Sequence, residues 1–145
     1  RKAKPDIALS SDFIIGFPGE TDQDFEDTLD LIQRVEYMNS YSFKYSPRPG
    51  TPAANKELIS DEILDERLAR TQALLNEQQL EYNKRFVQKT VQVLIDGAGK
   101  HEGQVKGKSE FNQSVALQGE KQIIGQIVPV QIKEALTHSL LGERA

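Results

Sequence analysis

Ser11-Asp12-Phe13-Ile14-Ile15-Gly16-Phe17-Pro18-Gly19-Glu20-Thr21 reads as an apolar strand that ends in a glycine- and proline-rich turn and passes at once into a helix. The strand, from Ile7 to Ile15, is apolar on both faces, as a parallel strand covered by helices is. In such folds the functional end of a strand is its C-terminal turn, which places Gly16 to Thr21 at a ligand-facing rim. Thr21 with Asp24 three residues later forms a capping-box pattern, and Phe25, Leu29, Ile32 and Val35 recur at helical spacing, predicting a helix from Asp22 to Tyr37. Asp22, Asp24, Glu26 and Asp27 crowd its first turns, where the positive end of the helix dipole favours acids. Tyr41 to Tyr45 is the next strand, after which Pro47, Pro49, Gly50 and Pro52 break regular structure. Strand, helix and strand make one βαβ unit. Such a unit closes no core alone, so it is expected to be the terminal portion of an α/β barrel.

Working outward, Ser60, Asp61 and Glu62 start a long helix whose face carries Leu64, Leu68, Leu75, Tyr82 and Phe86. Its Arg- and Glu-rich remainder reads as solvated surface. After Lys89 the texture changes to short β-like segments punctuated by glycine, from Thr90–Ile95 to Ile127–Ile132 and on to Leu140. Strands of this length and spacing suggest a small all-β barrel leaning on the preceding helix. The expected fold is therefore α+β and multi-part. Residues 1–86 hold the last βα elements of a partial α/β barrel with a closing helix, and residues 87–145 hold the β-barrel.

Composition narrows the chemistry. With 37% hydrophobic and 28% charged residues over 145 positions, the chain has the balance of a soluble globular protein. No apolar run approaches the roughly 18 to 20 residues of a spanning helix, and Arg1 to Pro5 lead into no signal-peptide core, so a cytoplasmic location without membrane contact is expected. There is no cysteine, which excludes disulfides, thiolate nucleophiles and cysteine-ligated metals within the chain, and His101 and His138 are too few for a zinc site. Met38 is the only methionine, so the chain is expected to be a piece of a longer reading frame. The net charge of −4 conceals a division: residues 1–86 carry 11 Lys/Arg against 16 Asp/Glu, and residues 87–145 carry 7 against 6. Because phosphate contacts supply most sequence-independent affinity for nucleic acid, RNA suits the second half better.

Two loops could carry chemistry. Around Gly16–Thr21, glycines flanking a proline let the backbone turn sharply and approach a ligand, beside the free N–H groups of a helix start. Taken alone, the same residues equally describe a tight βα turn with Glu20 as a helix-start acid. Tyr45-Ser46-Pro47-Arg48-Pro49-Gly50-Thr51-Pro52 presents Arg48, a bidentate partner for carboxylate or phosphate, from a stiffened backbone at the same rim. Taken alone, it is also an ordinary exit loop.

The pair SSDFIIGFPGETDQDF and FKYSPRPGTPAA, separated by one helix, resembles the last two strand regions of the radical S-adenosylmethionine (SAM) methylthiotransferases that modify tRNA, and YSPRPGTP looks most like the MiaB group. The tail, VQVLIDG, GQVKGKSEFNQSV and IIGQIVPVQIKEALTHSLLG, is similar to that family's RNA-binding TRAM domain, an OB-like barrel. The resemblance implies an enzyme that converts isopentenyladenosine beside the anticodon to its 2-methylthio form. It implies SAM-side residues at Asp12, Ile14, Gly16, Pro18, Gly19 and Glu20, with Arg48 near SAM or substrate. It also implies two 4Fe-4S clusters held by cysteines that lie outside this chain, which alone is then expected to be inactive. The partners implied are the anticodon stem-loop of tRNA and the rest of the same polypeptide.

For the tail the resemblance implies RNA binding by Lys100, Lys106, Lys108 and Lys121 with His101 and Phe111, cations for phosphates and a ring for a base. On composition alone the same residues are surface lysines with Phe111 in the core. Pro129 and His138 depart from the family pattern, and Pro129 within a strand predicts an edge or a bulge. Within the family, threonylcarbamoyl-adenosine or a ribosomal-protein aspartate are rival substrates. A non-catalytic RNA-binding module and a protein-interaction barrel are rivals of other classes.

Overall fold

In the computed structural model, which describes residues 2–145, the opening stretch forms β1 (Ser10–Ile15), α1 (Asp22–Val35) and β2 (Asn39–Lys44). β1 and β2 pair in parallel from Ser10↔Asn39 to Ile15↔Lys44, with α1 as the crossover. The capping box is present. The Thr21 hydroxyl accepts the Asp24 N–H at 3.1 Å, and the Asp24 carboxylate accepts the Thr21 N–H at 2.9 Å and its hydroxyl proton at 2.7 Å. α1 stops at Glu36, which turns left-handed at φ 56° and bonds back to the Ile32 carbonyl.

These bonds to Thr21, side chain first and backbone second, hold the Asp24 carboxyl below its ordinary range. A depressed carboxyl adds stability that is present above the ordinary carboxylate pKa, about 4, and lost as pH falls through the lowered value. Loss of the N-cap hydroxyl in Thr21→Ala is itself expected to cost about 1 kcal/mol at neutral pH. Urea titrations at neutral and strongly acidic pH should show that gap narrowing in acid; a gap independent of pH would contradict it.

The chain divides into two compact units, residues 9–78 and residues 79–145 with the short segment before β1. The first has a core of Phe13 and Ile15 from β1, Phe25 and Ile32 from α1, and Leu75 from the long helix α2 (Asp61–Lys84). One expectation fails here. β1 is covered on one face only: Ile14 is 59% exposed, beside Phe43 at 55% and Tyr41 at 61% on β2. The alternation that buries Phe13 and Ile15 turns Ile14 to the opposite side, where none of the described residues covers it. A second difference lies on α2. Its buried positions in this unit are Leu64, Arg67, Thr71 and Leu75, so the face expected to be apolar includes an arginine.

The second unit begins within α2 at Gln79, whereas the sequence places the boundary after residue 86. Its last helical turn contributes Tyr82 and Asn83, followed by Phe86, all buried. Successive i to i+3 bonds then tighten the chain until Gln88, at φ 68°, turns it into the barrel. The strands are β3 (Thr90–Ala98), β4 (Gln104–Ser109), β5 (Ser114–Gln118), β6 (Ile127–Ala135) and β7 (Leu140–Arg144). They close in the order β3-β4-β5-β7-β6, with β5 and β7 parallel and the other pairs antiparallel. Alternate residues, such as Val91, Val93 and Ile95 on β3 and Val128, Val130 and Ile132 on β6, fill the interior.

Pro129 lies within β6 of a closed barrel, and the register irregularity of β6 falls at Ile132/Glu134 instead. Just beyond Val130↔Arg144, the last register pair with β7, the Pro129 carbonyl accepts the Ala145 N–H at 3.0 Å. A buried polar network ties the helix end to two hairpins. The Asn83 amide donates to the Leu136 and Thr137 carbonyls at 2.8 and 3.1 Å and accepts from Gln113 at 2.9 Å, and Gln113 in turn accepts from Ser109 at 3.1 Å.

Candidate functional site

The rim expected at the end of β1 is built from two turns of one design. In Phe17-Pro18-Gly19-Glu20, the Glu20 N–H bonds to the Phe17 carbonyl at 2.9 Å, with Pro18 before Gly19 at φ 94°. In Arg48-Pro49-Gly50-Thr51, the Thr51 N–H bonds to the Arg48 carbonyl at 3.2 Å, with Pro49 before Gly50 at φ 86°. Proline then glycine at positive φ is the type II signature, and glycine supplies a conformation that other residues resist. The Thr51 hydroxyl adds a 2.8 Å bond to the same Arg48 carbonyl.

Beside these turns lies an open groove of about 780 Å³ lined by Ile14 and Phe17, by Phe43 and Tyr45, and by Arg48 and Pro52 among others. Phe17 and Tyr45 meet edge to face, centroids 5.2 Å apart. Lys44, also in the wall, pairs with Asp65 of α2. The structure brings Ile14 and Arg48 into one groove with the turn that follows Gly16. Asp12 is exposed on β1 opposite Tyr41, Pro18 is buried, and Gly19 is exposed with open space where a Cβ would stand.

Glu20 is held within the protein. One carboxylate oxygen accepts the Gly16 N–H at 3.0 Å, and the other takes the Arg67 guanidinium at 2.6 Å. Arg67 also reaches Asp22 at 2.5 Å. Burial works against its charge, but the bonds to Asp22 and Glu20 outweigh that and hold the guanidinium above its ordinary pKa. Arg70, one turn on, pairs with Glu26 at 2.6 Å, and both guanidinium carbons lie over the Phe25 ring, at 5.3 and 5.0 Å. Sequence reasoning assigned these arginines to solvent. The signal that would have found Arg67 was its spacing from Leu64, Thr71 and Leu75, which puts it on the inward face.

On the barrel, Lys100, His101 and Lys121 gather with Glu102 and Glu120 around a shallow pocket of about 670 Å³. The loop there is held by Gln104, whose side-chain oxygen accepts the Lys100 and His101 N–H groups at 3.1 and 3.4 Å. Lys106 and Lys108 point outward along β4, and Lys108 donates to the Ser114 hydroxyl at 2.9 Å. Phe111 does not join Lys100, His101 and Lys121. It follows β4 at the other end of the barrel, half-buried, its ring 4.9 Å from that of Phe86.

The TRAM domain model matches residues 84–144, from the last residue of α2 to the last of β7. Over its whole length the chain is similar to proteins named tRNA-2-methylthio-N(6)-dimethylallyladenosine synthase. It is 53% identical over 145 residues to that of Rickettsia akari (strain Hartford), covering 99% of this chain and 33% of that protein. It is 52% identical to that of Wolbachia pipientis wMel, covering 98% and 33%. It is 54% identical to that of Novosphingobium aromaticivorans, covering 100% and 33%. Residues 84–144 are thus a TRAM domain, and the chain along its whole length resembles the MiaB-type tRNA methylthiotransferases. It spans about a third of the length of the curated relatives it matches.

The closed five-stranded barrel falls on the residues of the TRAM match, as the sequence leads one to expect. The chain's own donors do not fit an iron–sulfur cluster. The sequence has no cysteine, and among the described residues no group of three or more His, Asp or Glu converges for a metal. Among the described residues, no helix is long and apolar enough to cross a membrane.

Proposed function

We propose that this chain is the C-terminal third of a radical SAM enzyme that methylthiolates isopentenyladenosine next to the anticodon of tRNA, working in the cytoplasm. What carries the reading is identity of 51 to 54% sustained over 98 to 100% of the chain, across both rim turns and the barrel. The relatives' shared name favours the isopentenyl substrate over threonylcarbamoyl-adenosine or a ribosomal protein. A stand-alone RNA-binding module would not account for the likeness across residues 1–78.

SAM fits the groove at the level of donor chemistry. Ile14, Phe17 and Phe43 offer an apolar and aromatic wall for the adenosyl group, and Arg48 offers a guanidinium to the carboxylate. Gly16, Pro18 and Gly19 bring backbone close to the ligand, Asp12 stands on the same strand, and Glu20 keeps the turn in shape. Bound SAM supplies the adenosyl radical and the methyl group, and the clusters that the reaction needs draw their cysteines from the rest of the polypeptide. This chain's residues bind, orient and shield.

The barrel grips the anticodon stem-loop. Lys100, His101 and Lys121 at one end and Lys106 and Lys108 along β4 supply cations for phosphates, and Phe111 serves as the packing partner of Phe86. Deleting the gene and analysing tRNA nucleosides by mass spectrometry tests the reading. The 2-methylthio nucleoside should disappear while isopentenyladenosine accumulates. Unchanged tRNA would overturn it.

A further inference from the structure

We propose that Arg67 of α2 is the positioning residue of the SAM groove: by gripping residues 20–22 it sets the conformation of the Gly16–Glu20 turn. The proposal rests on the SAM reading given above. Arg67 is only 5% exposed, and among the described residues its guanidinium bonds to this one segment. It donates to the Glu20 carboxylate at 2.6 Å, the Glu20 carbonyl at 3.4 Å and the Asp22 carboxylate at 2.5 Å. Glu20 relays the hold, because its second oxygen accepts the Gly16 N–H at 3.0 Å. Leu64, one turn earlier on α2, closes the other side: a Cβ on Gly16 would run into the Leu64 side chain, and Gly16 stands at φ 77°.

One helix turn thus fixes the backbone between Ile14 and Phe17, two residues of the groove wall. A buried ion pair adds little stability over an apolar pair of the same volume, whereas removing one member leaves a buried charge. What the fork contributes beyond stability is geometry, since a planar guanidinium holds several acceptors at fixed angles and an ammonium cannot. Of the acceptors, Asp22 has a side chain 98% exposed, so its loss removes one tether without unpacking the core.

The test uses the full-length, cluster-reconstituted enzyme, with SAM affinity measured by calorimetry and tRNA affinity by anisotropy. Arg67→Lys, which keeps the charge, is expected to weaken SAM binding about tenfold. Asp22→Ala should weaken it by a smaller factor, and so should Glu20→Gln, whose NH2 must face either the Gly16 N–H or the Arg67 guanidinium. tRNA affinity should be unchanged in all three. SAM binding unchanged in both Arg67→Lys and Asp22→Ala would overturn the proposal, as would SAM and tRNA affinity falling together. If Arg67→Lys does not fold, Asp22→Ala decides alone. Amide exchange on the wild type separates this from failure of the SAM reading: with SAM added and no protection over residues 14–20, the groove reading itself fails.

Discussion

Replacing Phe25 by alanine is expected to destabilise the first unit by about 4 kcal/mol. The ring is 2% exposed at the meeting point of Phe13, Ile15, Ile32 and Leu75, so truncation removes its transfer free energy and leaves a cavity between two helices and a strand. Two guanidinium groups also lose the ring face they lie over, adding about 0.5 to 1 kcal/mol for the half-exposed Arg70 and up to about 2 for the buried Arg67. Phe25→Leu, which keeps most of the volume, should cost less than about 1.5 kcal/mol. Urea denaturation followed by amide exchange in β1 and α1 reads both. A loss below 1 kcal/mol for the alanine variant would show that Phe25 does not anchor this core.

The second large effect concerns the barrel. Gly107 sits opposite Ile95 on β3 and Val115 on β5, where the two neighbouring backbones leave no room. A Cβ there would strike the Leu94 carbonyl oxygen and stand 2.9 Å from the Ile95 Cα. These are backbone atoms of a strand paired on both sides, so relief requires parting β3 from β4 or β6. Gly107→Ala is expected to cost about 3 kcal/mol, at the upper end for overpacking. Gly97, two strand positions beyond Ile95, makes the comparison internal. A Cβ there meets nothing closer than the flexible end of Lys106 at 3.6 Å, so Gly97→Ala should be near neutral. Thermal melts of the two variants should separate widely; similar melting temperatures would mean that the strands do not pack this closely.

Much of this architecture is written locally. The cap of α1 needs only Thr21 and Asp24, and its core stripe only the spacing of Phe25 and Ile32, so sequence suffices for both. The barrel's strands are legible from glycine punctuation and from alternation such as Val91, Val93 and Ile95. Their order is not, because the parallel insertion of β7 between β5 and β6 joins segments some 25 residues apart by no local rule. The inward place of Arg67 is legible from its spacing, but its partners are not: Glu20 and Asp22 lie 47 and 45 residues away, and nothing in the Arg- and Glu-rich stretch around it names them. The exposure of Ile14 follows from which elements lie against β1, which its own side chains do not state. The separation of Phe111 from Lys100 and His101 was open to counting, since the six residues of β4 between them span about 20 Å.

The most direct measurement is an NMR titration of this chain with an unmodified anticodon stem-loop at several salt concentrations. The expected result is a set of shifts at Lys100, His101, Lys106, Lys108 and Lys121, with a log–log salt slope of roughly −3 if the four lysines each neutralise a phosphate. Residues 14–17 and Phe111 should stay in place. No shifts at low salt, or shifts centred on Phe111 and indifferent to salt, would contradict a barrel that holds tRNA through its lysines.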